Sequence, residues 1–259
     1  MSFNKIMLLC LVALISSCGS TMTRQDVRDS VPVEDRQLAG GYTAYRTPSD
    51  DELALFSQCY AYAAQLTPKR VATQVVAGLN YAFLCTGAEG DVKVVIYKPL
   101  PNHGASRVTS VEPVSAYDAL VAFVAKGFAD QWQRTSPDDM DLSPIYQYRT
   151  PTMGYARADI NGDGIVELLL GDDFSADGYA VYDLFTFDPE QGTVRHLFSG
   201  GERDRLTILD DGILCEEGSN SAFDSFRTCY RIEGGKLVKL PQDTPAKETL
   251  FSVKFHLWQ

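Results

Sequence analysis

Hydrophobic and polar positions alternate along residues 79–98 in the way that predicts two neighbouring strands of an antiparallel sheet. One face of the first strand is apolar and comprises Leu79, Tyr81, Phe83 and Cys85. A Gly-Ala-Glu-Gly turn at residues 87–90 leads into a second β-rich run, residues 92–98. Because successive side chains of a strand point to opposite faces, the pattern predicts a sheet with one face on a core.

The turn that precedes the first strand is apolar, whereas a surface turn is normally polar. It comprises Gln74, Val75, Val76, Ala77 and Gly78, and the glycine can adopt the positive φ that closes such a turn. The turn after residue 98 also carries apolar residues, Leu100 and Pro101. The pattern therefore predicts two apolar loops at the same end of one sheet, available to a partner.

These residues resemble the cystatin family, in particular its stefin branch. The run Gln74 to Gly78 followed by Leu-Asn-Tyr is similar to the first stefin hairpin, and Leu100-Pro101 is similar to the second. Gly40-Gly41 corresponds to the amino-terminal glycine of stefins, and Pro48 with Glu52 keeps the spacing of the stefin helix start. The resemblance covers about residues 38–112, and the segment between Glu52 and Gln74 is shorter than in stefins.

The resemblance implies an inhibitor of papain-like cysteine proteases. In cystatins, an amino-terminal segment and two hairpin tips form an apolar wedge that occupies the active-site groove reversibly and offers no scissile bond. The protease-binding residues implied for this chain are Gly40, Gly41, Gln74, Val75, Val76, Ala77, Gly78, Leu100 and Pro101. The alternative is a calcium-dependent surface-binding or assembly module in which the cystatin-like part is a non-inhibitory scaffold.

A helix is expected between the amino-terminal glycines and the first hairpin. Ser49, with Glu52 three residues later, predicts a capping box at its start. The residues that then share one helical face are Leu55, Cys59, Tyr62 and Leu66. If this helix packs across the apolar strand face, as it does in cystatins, Cys59 and Cys85 come together in a disulfide.

Residues 159–167 predict a calcium loop, because oxygen-bearing side chains stand at positions one, three, five and nine with glycine at six. The expected ligands are Asp159, Asn161, Asp163, the main-chain carbonyl of Ile165, and Glu167. The loop resembles those of dockerins, EF-hands and bacterial surface repeats, although the EF-hand's acid at position twelve is replaced by Leu170. The strand-like run that follows places the loop in a β-hairpin, and a metal-free Asx turn is the alternative.

The remainder of the chain predicts one helix and a series of short strands. The helix is expected over residues 114–133, and the strands over 179–187, 193–198, 205–209, 226–232, 236–240 and 251–257. Cys215 and Cys229 flank a turn and can bridge adjacent strands. The predicted fold class is α+β: a cystatin-like domain, residues 38–113, with a helix packed on a twisted antiparallel sheet, followed by an α+β, mostly antiparallel β-rich domain, residues 114–259.

The amino terminus predicts a lipoprotein. An apolar run over residues 6–15 is too short to span a bilayer and is typical of a secretory signal peptide, residues 1–17. The run Ile15-Ser16-Ser17-Cys18 resembles a bacterial lipobox, which implies lipidation of Cys18. Residues 18–37 are polar and are expected to form a flexible tether. We therefore expect a lipid anchor in the bacterial cell envelope, at the outer membrane.

Charge and motif content narrow the function classes. The net charge of −11 argues against nucleic acid as a partner, because phosphates require a basic surface. None of the three histidines, His103, His196 and His256, lies in a recognisable nucleophile or zinc motif. The sequence therefore predicts a monomeric, non-enzymatic protein whose partners are a papain-like protease and, through its lipid, the membrane.

Overall fold

Two antiparallel sheets are the main elements of this computed structural model, which describes residues 40–174, 178–201, 203–221, 224–246 and 249–258. The first sheet has four strands in the order β1-β2-β3-β4. Its strands are β1 (Thr67–Val76), β2 (Gly78–Gly87), β3 (Gly90–Pro99) and β4 (Arg107–Glu112). Each strand pairs with its neighbour in sequence, so this sheet is a simple meander.

The second sheet has nine strands and is built from the rest of the chain. They are β5 (Met153–Ala158), β6 (Glu167–Asp173), β7 (Tyr179–Asp188), β8 (Thr193–Ser199), β9 (Asp204–Ile208), β10 (Leu214–Ser221), β11 (Asp224–Glu233), β12 (Lys236–Lys239) and β13 (His256–Leu257). Their order is β12-β11-β10-β9-β7-β6-β5-β13, and β8 also pairs with β7. The strands predicted between residues 179 and 240 are present, whereas only His256–Leu257 of the predicted strand 251–257 is a strand.

Two α-helices accompany the sheets in the described part of the chain: α1 (Asp50–Cys59) and α2 (Val114–Asp130). Short 3-10 turns occur at Ala63–Gln65, Pro137–Met140 and Pro144–Gln147. Helix α1 begins with the predicted capping box, in which Ser49 and Glu52 bond each other's backbone. Helix α2 starts where the sequence predicts and ends three residues early, because Gln131 adopts a left-handed conformation with φ of 55°.

The predicted α+β fold class is wrong, because 46% of the structure is strand and only 18% is helix. One cause is the shortness of α1. It ends at Cys59, Tyr60 is extended, and the chain passes through one 3-10 turn into β1 at Thr67. Pro68 disfavours helical backbone at Thr67, and the chain has already left the helix at Tyr60. Tyr62 and Leu66 therefore keep a helical spacing without belonging to a helix.

The core of the first sheet lies on the face that α1 covers. Phe56 of α1 is 1% exposed, and its ring centroid lies 5.1 Å from that of Phe83 on β2. Phe187 of β7 belongs to the same cluster of buried residues. The edge of β4 is also closed, since the Val111 amide donates to the carbonyl of Gly164 at 2.7 Å. The first sheet is therefore covered on this face by α1 and by residues of the second sheet.

Helix α2 covers the second sheet. Its residues Tyr117, Val124 and Phe128 are buried against a cluster that includes Leu168 and Leu170 of β6. The hydroxyl of Tyr117 donates to the carbonyl of Val166 at 2.8 Å, which satisfies its polar atom inside the protein.

Candidate functional site

The first component of the candidate site is the segment Gly40 to Arg46, which runs beside β1. Tyr42 forms a bridge with Gln74, and the Thr43 amide donates to the carbonyl of Thr73 at 2.8 Å. The Gln74 side chain donates to the carbonyl of Gly40 at 2.6 Å. The segment therefore adds to the edge of β1 and reaches the end of the strand that carries the first hairpin tip. Gly41, half-buried, follows within this segment.

The second component is the tip between β1 and β2. Strand pairing continues to Val76 and Gly78, so that Ala77 stands alone at the apex. Val75 is 64% exposed and Val76 is 41% exposed, although both are aliphatic. Gly78 has a φ of 136°, and a Cβ there would lie 2.5 Å from the carbonyl oxygen of Lys98. Only glycine fits this position, so the turn depends on it.

The third component is the turn after β3. Leu100 is 52% exposed, Pro101 is exposed, and the His103 amide closes the turn by donating to the carbonyl of Leu100 at 3.0 Å. In the β2–β3 ladder, Gly78 pairs with Pro99. Leu100 therefore follows directly after the residue that pairs with the end of the first tip.

Three separate parts of the chain thus meet at one end of the first sheet. We call this end the wedge edge and define it as Gly40, Val75 to Gly78, Leu100 and Pro101. It presents two valines and a leucine to solvent, and no other large apolar residue of β1 to β4 is as exposed.

Sequence reasoning missed the side chains that hold the wedge edge together. The hydroxyl of Tyr97 donates to the carbonyl of Ala77 at 2.5 Å. The Asn80 amide donates to the side-chain oxygen of Gln74 at 2.8 Å, and Gln74 in turn holds Gly40. Asn80 and Tyr97 are direct partners in the β2–β3 ladder. The signal available in the sequence was their position near the tip on the strand face opposite Leu79 and Tyr81.

A buried carboxylate anchors the amino-terminal segment to α1. Arg46 donates to Glu52 through two nitrogens, at 2.8 and 2.6 Å, and the Ser49 amide donates to the same carboxylate at 2.9 Å. The hydrogen bonds from Arg46 lower the pKa of Glu52 to about 2. Arg46 also exchanges backbone hydrogen bonds with Val71 of β1, at 3.0 and 2.8 Å. This ion pair therefore fixes the segment that begins at Gly40.

The Asp-rich loop connects β5 and β6, in a β-hairpin as predicted. One oxygen of Asp159 accepts from the amides of Gly162 and Asp163 at 2.8 and 3.1 Å, and the other accepts from Gly164 at 2.8 Å. Asp163 accepts from the Ile165 amide at 2.7 Å. These carboxylates are turned inward onto the loop's own backbone, as in an Asx turn.

Glu167, the expected ninth-position ligand, is fully buried at 0% exposure. Its oxygens accept from the Ile160 amide at 3.0 Å and from the Thr186 hydroxyl at 2.9 Å, and burial raises the pKa of its carboxyl to about 8. No group of three or more His, Cys, Asp or Glu side chains within the described residues is arranged to hold a metal. Asp159, Asn161, Asp163 and the Ile165 carbonyl supply the hard oxygen donors that calcium prefers, so calcium stays a prediction on donor chemistry alone.

The cysteines differ in state. Cys215 and Cys229 are direct partners in the β10–β11 ladder and form a disulfide with a Cα–Cα distance of 4.1 Å. Cys59 and Cys85 are free thiols, so the bridge expected between them is absent. Cys59 packs, half-buried, against the cluster that contains Cys85, while Phe56 makes the ring contact with Phe83. Cys18, with residues 1–39, lies outside the described part.

A serine, a histidine and an aspartate also meet in the second sheet. His196 lies 2.8 Å from buried Asp183, which also accepts from the Ser143 amide at 3.0 Å. The Ser143 hydroxyl, however, donates to the carbonyl of Gly200 at 2.5 Å. Among the described residues, the hydroxyl is thus bonded to a main-chain carbonyl and the imidazole to Asp183, and these contacts tie β8 and the 3-10 turns to β7.

No protein-family model, curated protein or solved structure matches the chain. Among the described residues, no helix has the length and apolar character needed to cross a membrane. The wedge edge and the Asp-rich loop are the two features whose geometry indicates a function.

Proposed function

We propose that the protein is a reversible inhibitor of papain-like cysteine proteases, and that the wedge edge inserts into the active-site groove. The observation that carries the proposal is the convergence of three chain segments into one apolar edge, with Val75, Val76 and Leu100 between 41% and 64% exposed. Solvated loops rarely expose adjacent aliphatic side chains, and such patches mark interaction sites. The convergence supports the role implied by the resemblance to stefins.

The chemistry of the edge suits occlusion of a narrow groove. Aliphatic side chains release water on burial without requiring a charged partner. The strands remain paired up to the tip, so the edge loses little conformational freedom on binding. A groove that accepts all three segments would bury roughly 800 Å² on each partner, the size of a stable interface.

The other regions have supporting roles in this proposal. Lipidation of Cys18 would hold the protein at the outer membrane of a bacterial cell envelope, with residues 18–37 as the tether. Calcium would bind the Asp-rich loop in a structural role, with Asp159, Asn161, Asp163 and the carbonyl of Ile165 as ligands and Glu167 as the ninth-position residue. It would neutralise the loop's carboxylates and stabilise the β5–β6 hairpin.

The test is titration of papain with the soluble chain that begins at Gly19, in calcium and in chelator. Val76→Asp places a charge on the tip and is expected to weaken inhibition more than tenfold, roughly 1.4 kcal/mol or more. Val238→Asp is the matched control, because Val238 is 39% exposed on β12, close to the 41% of Val76. It is expected to leave inhibition unchanged.

Two results would contradict the proposal. One is the absence of inhibition at micromolar protein under both conditions. The other is an equal effect of the two substitutions, which would show that the wedge edge has no special part in binding. Loss of a surface-binding activity in Asp163→Ala, without any inhibition of papain by the parent chain, would favour the calcium-dependent assembly module instead.

A further inference from the structure

Acidic residues are absent from the end of the first sheet that carries the wedge edge, although the protein as a whole is acidic. The two acids in its strands, Asp91 on β3 and Glu112 on β4, lie towards the opposite end. The chain has 34 Asp and Glu residues, and residues 71–88 and 92–111 contain none of them. An even distribution would place about five acids in these positions. The same stretches contain three cations, Lys93, Lys98 and Arg107. The absence of acids is therefore a feature of these stretches of the first sheet rather than of the composition.

Two of these cations lie beside the wedge edge. Lys98 pairs with Leu79 in the β2–β3 ladder, one position from the pair that ends the first tip. Arg107 pairs with Tyr97 in the β3–β4 ladder. Both side chains are exposed, and neither forms an ion pair with any residue that the structure describes.

The position of Arg107 is fixed relative to the tip. Its guanidinium lies over the ring of Tyr97, 4.9 Å from the ring centroid, and the hydroxyl of Tyr97 holds the carbonyl of Ala77. Arg107, Tyr97, Ala77, Val76 and Asn80 line an open cleft on this side of the tip, with a volume of about 420 Å³. The cation therefore stands at the mouth of a cleft next to the apolar edge.

Charges at the rim of an interface set partner choice and the rate of association. An arginine held in place without a carboxylate of its own chain offers its bidentate donors to a carboxylate of the partner. Acidic residues in the surrounding strands would compete for that arginine and repel such a partner. Their absence from the strand segments next to the wedge edge removes both effects there.

We propose that the partner of the wedge edge has an acidic groove rim, whose carboxylates face Arg107 and Lys98. This inference rests on the proposed inhibitory function and narrows it to papain-like proteases with carboxylates beside the active-site groove. The rest of the chain, with its net negative charge, acts on such a partner only within a Debye length, about 8 Å at physiological salt. The local cations therefore determine the electrostatic contribution at the rim.

The experiment measures association rate constants by stopped flow for the soluble chain and for Arg107→Glu. Two papain-like proteases serve as probes, one with an acidic and one with a basic groove rim. Lys236→Glu is the control, because it makes the same change of charge at an exposed lysine of β12, in the other sheet. Each pair is measured at 0.1 M and at 1 M salt, where the Debye length falls from about 10 Å to about 3 Å.

At the lower salt concentration, Arg107→Glu is expected to slow association with the acidic protease at least about threefold and to accelerate association with the basic one. Both differences should disappear at the higher concentration, and Lys236→Glu should follow the parent chain throughout. If the parent chain inhibits but Arg107→Glu and Lys236→Glu behave alike, this inference is overturned and the proposed function stands. If the parent chain inhibits neither protease, both are overturned.

Discussion

The ion pair between Arg46 and Glu52 should stabilise the folded protein, and this stabilisation should be lost at low pH. Glu52 is 9% exposed and accepts hydrogen bonds from Arg46 and Ser49. We consider Glu52→Gln, which keeps the size of the side chain and removes its charge. Because Arg46 also pairs with Val71, the substitution acts on the segment that carries Gly40 to the wedge edge.

The size of the stability loss in Glu52→Gln follows from the lowered pKa of Glu52. The hydrogen bonds from Arg46 lower the pKa of Glu52 from 4.5 to about 2, and an undiminished shift of that size corresponds to roughly 3 kcal/mol. The side chain of Arg46 is 52% exposed, so solvent screens part of the interaction. We expect Glu52→Gln to lower the free energy of unfolding by about 1–2 kcal/mol at pH 7.

The pH dependence has a defined sign. A carboxyl whose folded-state pKa is lowered contributes its full stabilisation above its unfolded pKa, and this stabilisation is lost as pH falls through the folded-state pKa. The difference should therefore be constant above about pH 5 and shrink towards pH 2.

The assay is urea denaturation of the parent chain and of Glu52→Gln at a series of pH values between 7 and 2.5. Glu233→Gln, at an exposed position of β11, is the control and should change stability by less than about 0.5 kcal/mol. A difference between the parent chain and Glu52→Gln that stays the same across the whole range would refute the reasoning. It would mean that the loss arises from packing or capping, which do not titrate with this carboxyl.

Three further predictions concern the core, the tip and the Asp-rich loop. Phe56→Ala should lower the free energy of unfolding by about 3–4 kcal/mol, measured by urea denaturation, because Phe56 is 1% exposed and packs against Phe83. Tyr97→Phe removes the donor to the Ala77 carbonyl and should weaken inhibition of papain by about threefold to tenfold, with an unchanged unfolding midpoint; an unchanged inhibition constant would contradict this. Calcium should raise the melting temperature of the parent chain but not of Asp163→Ala. A ligand at one hundred times its Kd adds about 2.7 kcal/mol to the free energy of unfolding. Equal shifts of the two melting temperatures would contradict a calcium site in this loop.

The elements of the wedge edge could be predicted from sequence because each is encoded locally. Alternation over residues 79–85 determines which strand face is buried, and Gly78 determines where the turn closes. The contacts that connect these elements could not be predicted in the same way. Tyr97 and Asn80 are ordinary polar-tipped strand residues until the registers of the sheet give them partners. The β2–β3 register places Tyr97 next to the tip, where it bonds Ala77, and the β1–β2 register pairs Asn80 with Gln74. Register between strands depends on the whole sheet rather than on the spacing within one strand.

The length of α1 was overestimated for a related reason. Leu55, Cys59, Tyr62 and Leu66 have helical spacing, but a spacing shows only that apolar residues can share a face. In the folded chain, Tyr60 and Leu66 reach the same core from extended backbone, on either side of a 3-10 turn. Tertiary packing thus satisfied the apolar pattern without a long helix, and Cys59 and Cys85 remain free thiols.

The boundary expected between residues 113 and 114 remains a prediction, and the contacts across it define its test. Val111 of β4 exchanges hydrogen bonds with Gly164 and Val166 at 2.7 and 2.9 Å, so the Asp-rich hairpin protects the edge of the first sheet. Phe187, 1% exposed, packs in the same cluster as Phe56. A fragment of residues 38–113 would expose that edge and lose this ring, at a cost of about 3 kcal/mol or more. We therefore expect the fragment to unfold at a lower urea concentration than the chain of residues 39–259, and to inhibit papain more weakly. Equal midpoints and equal inhibition would show that the first sheet is an autonomous domain, with the second sheet only attached to it.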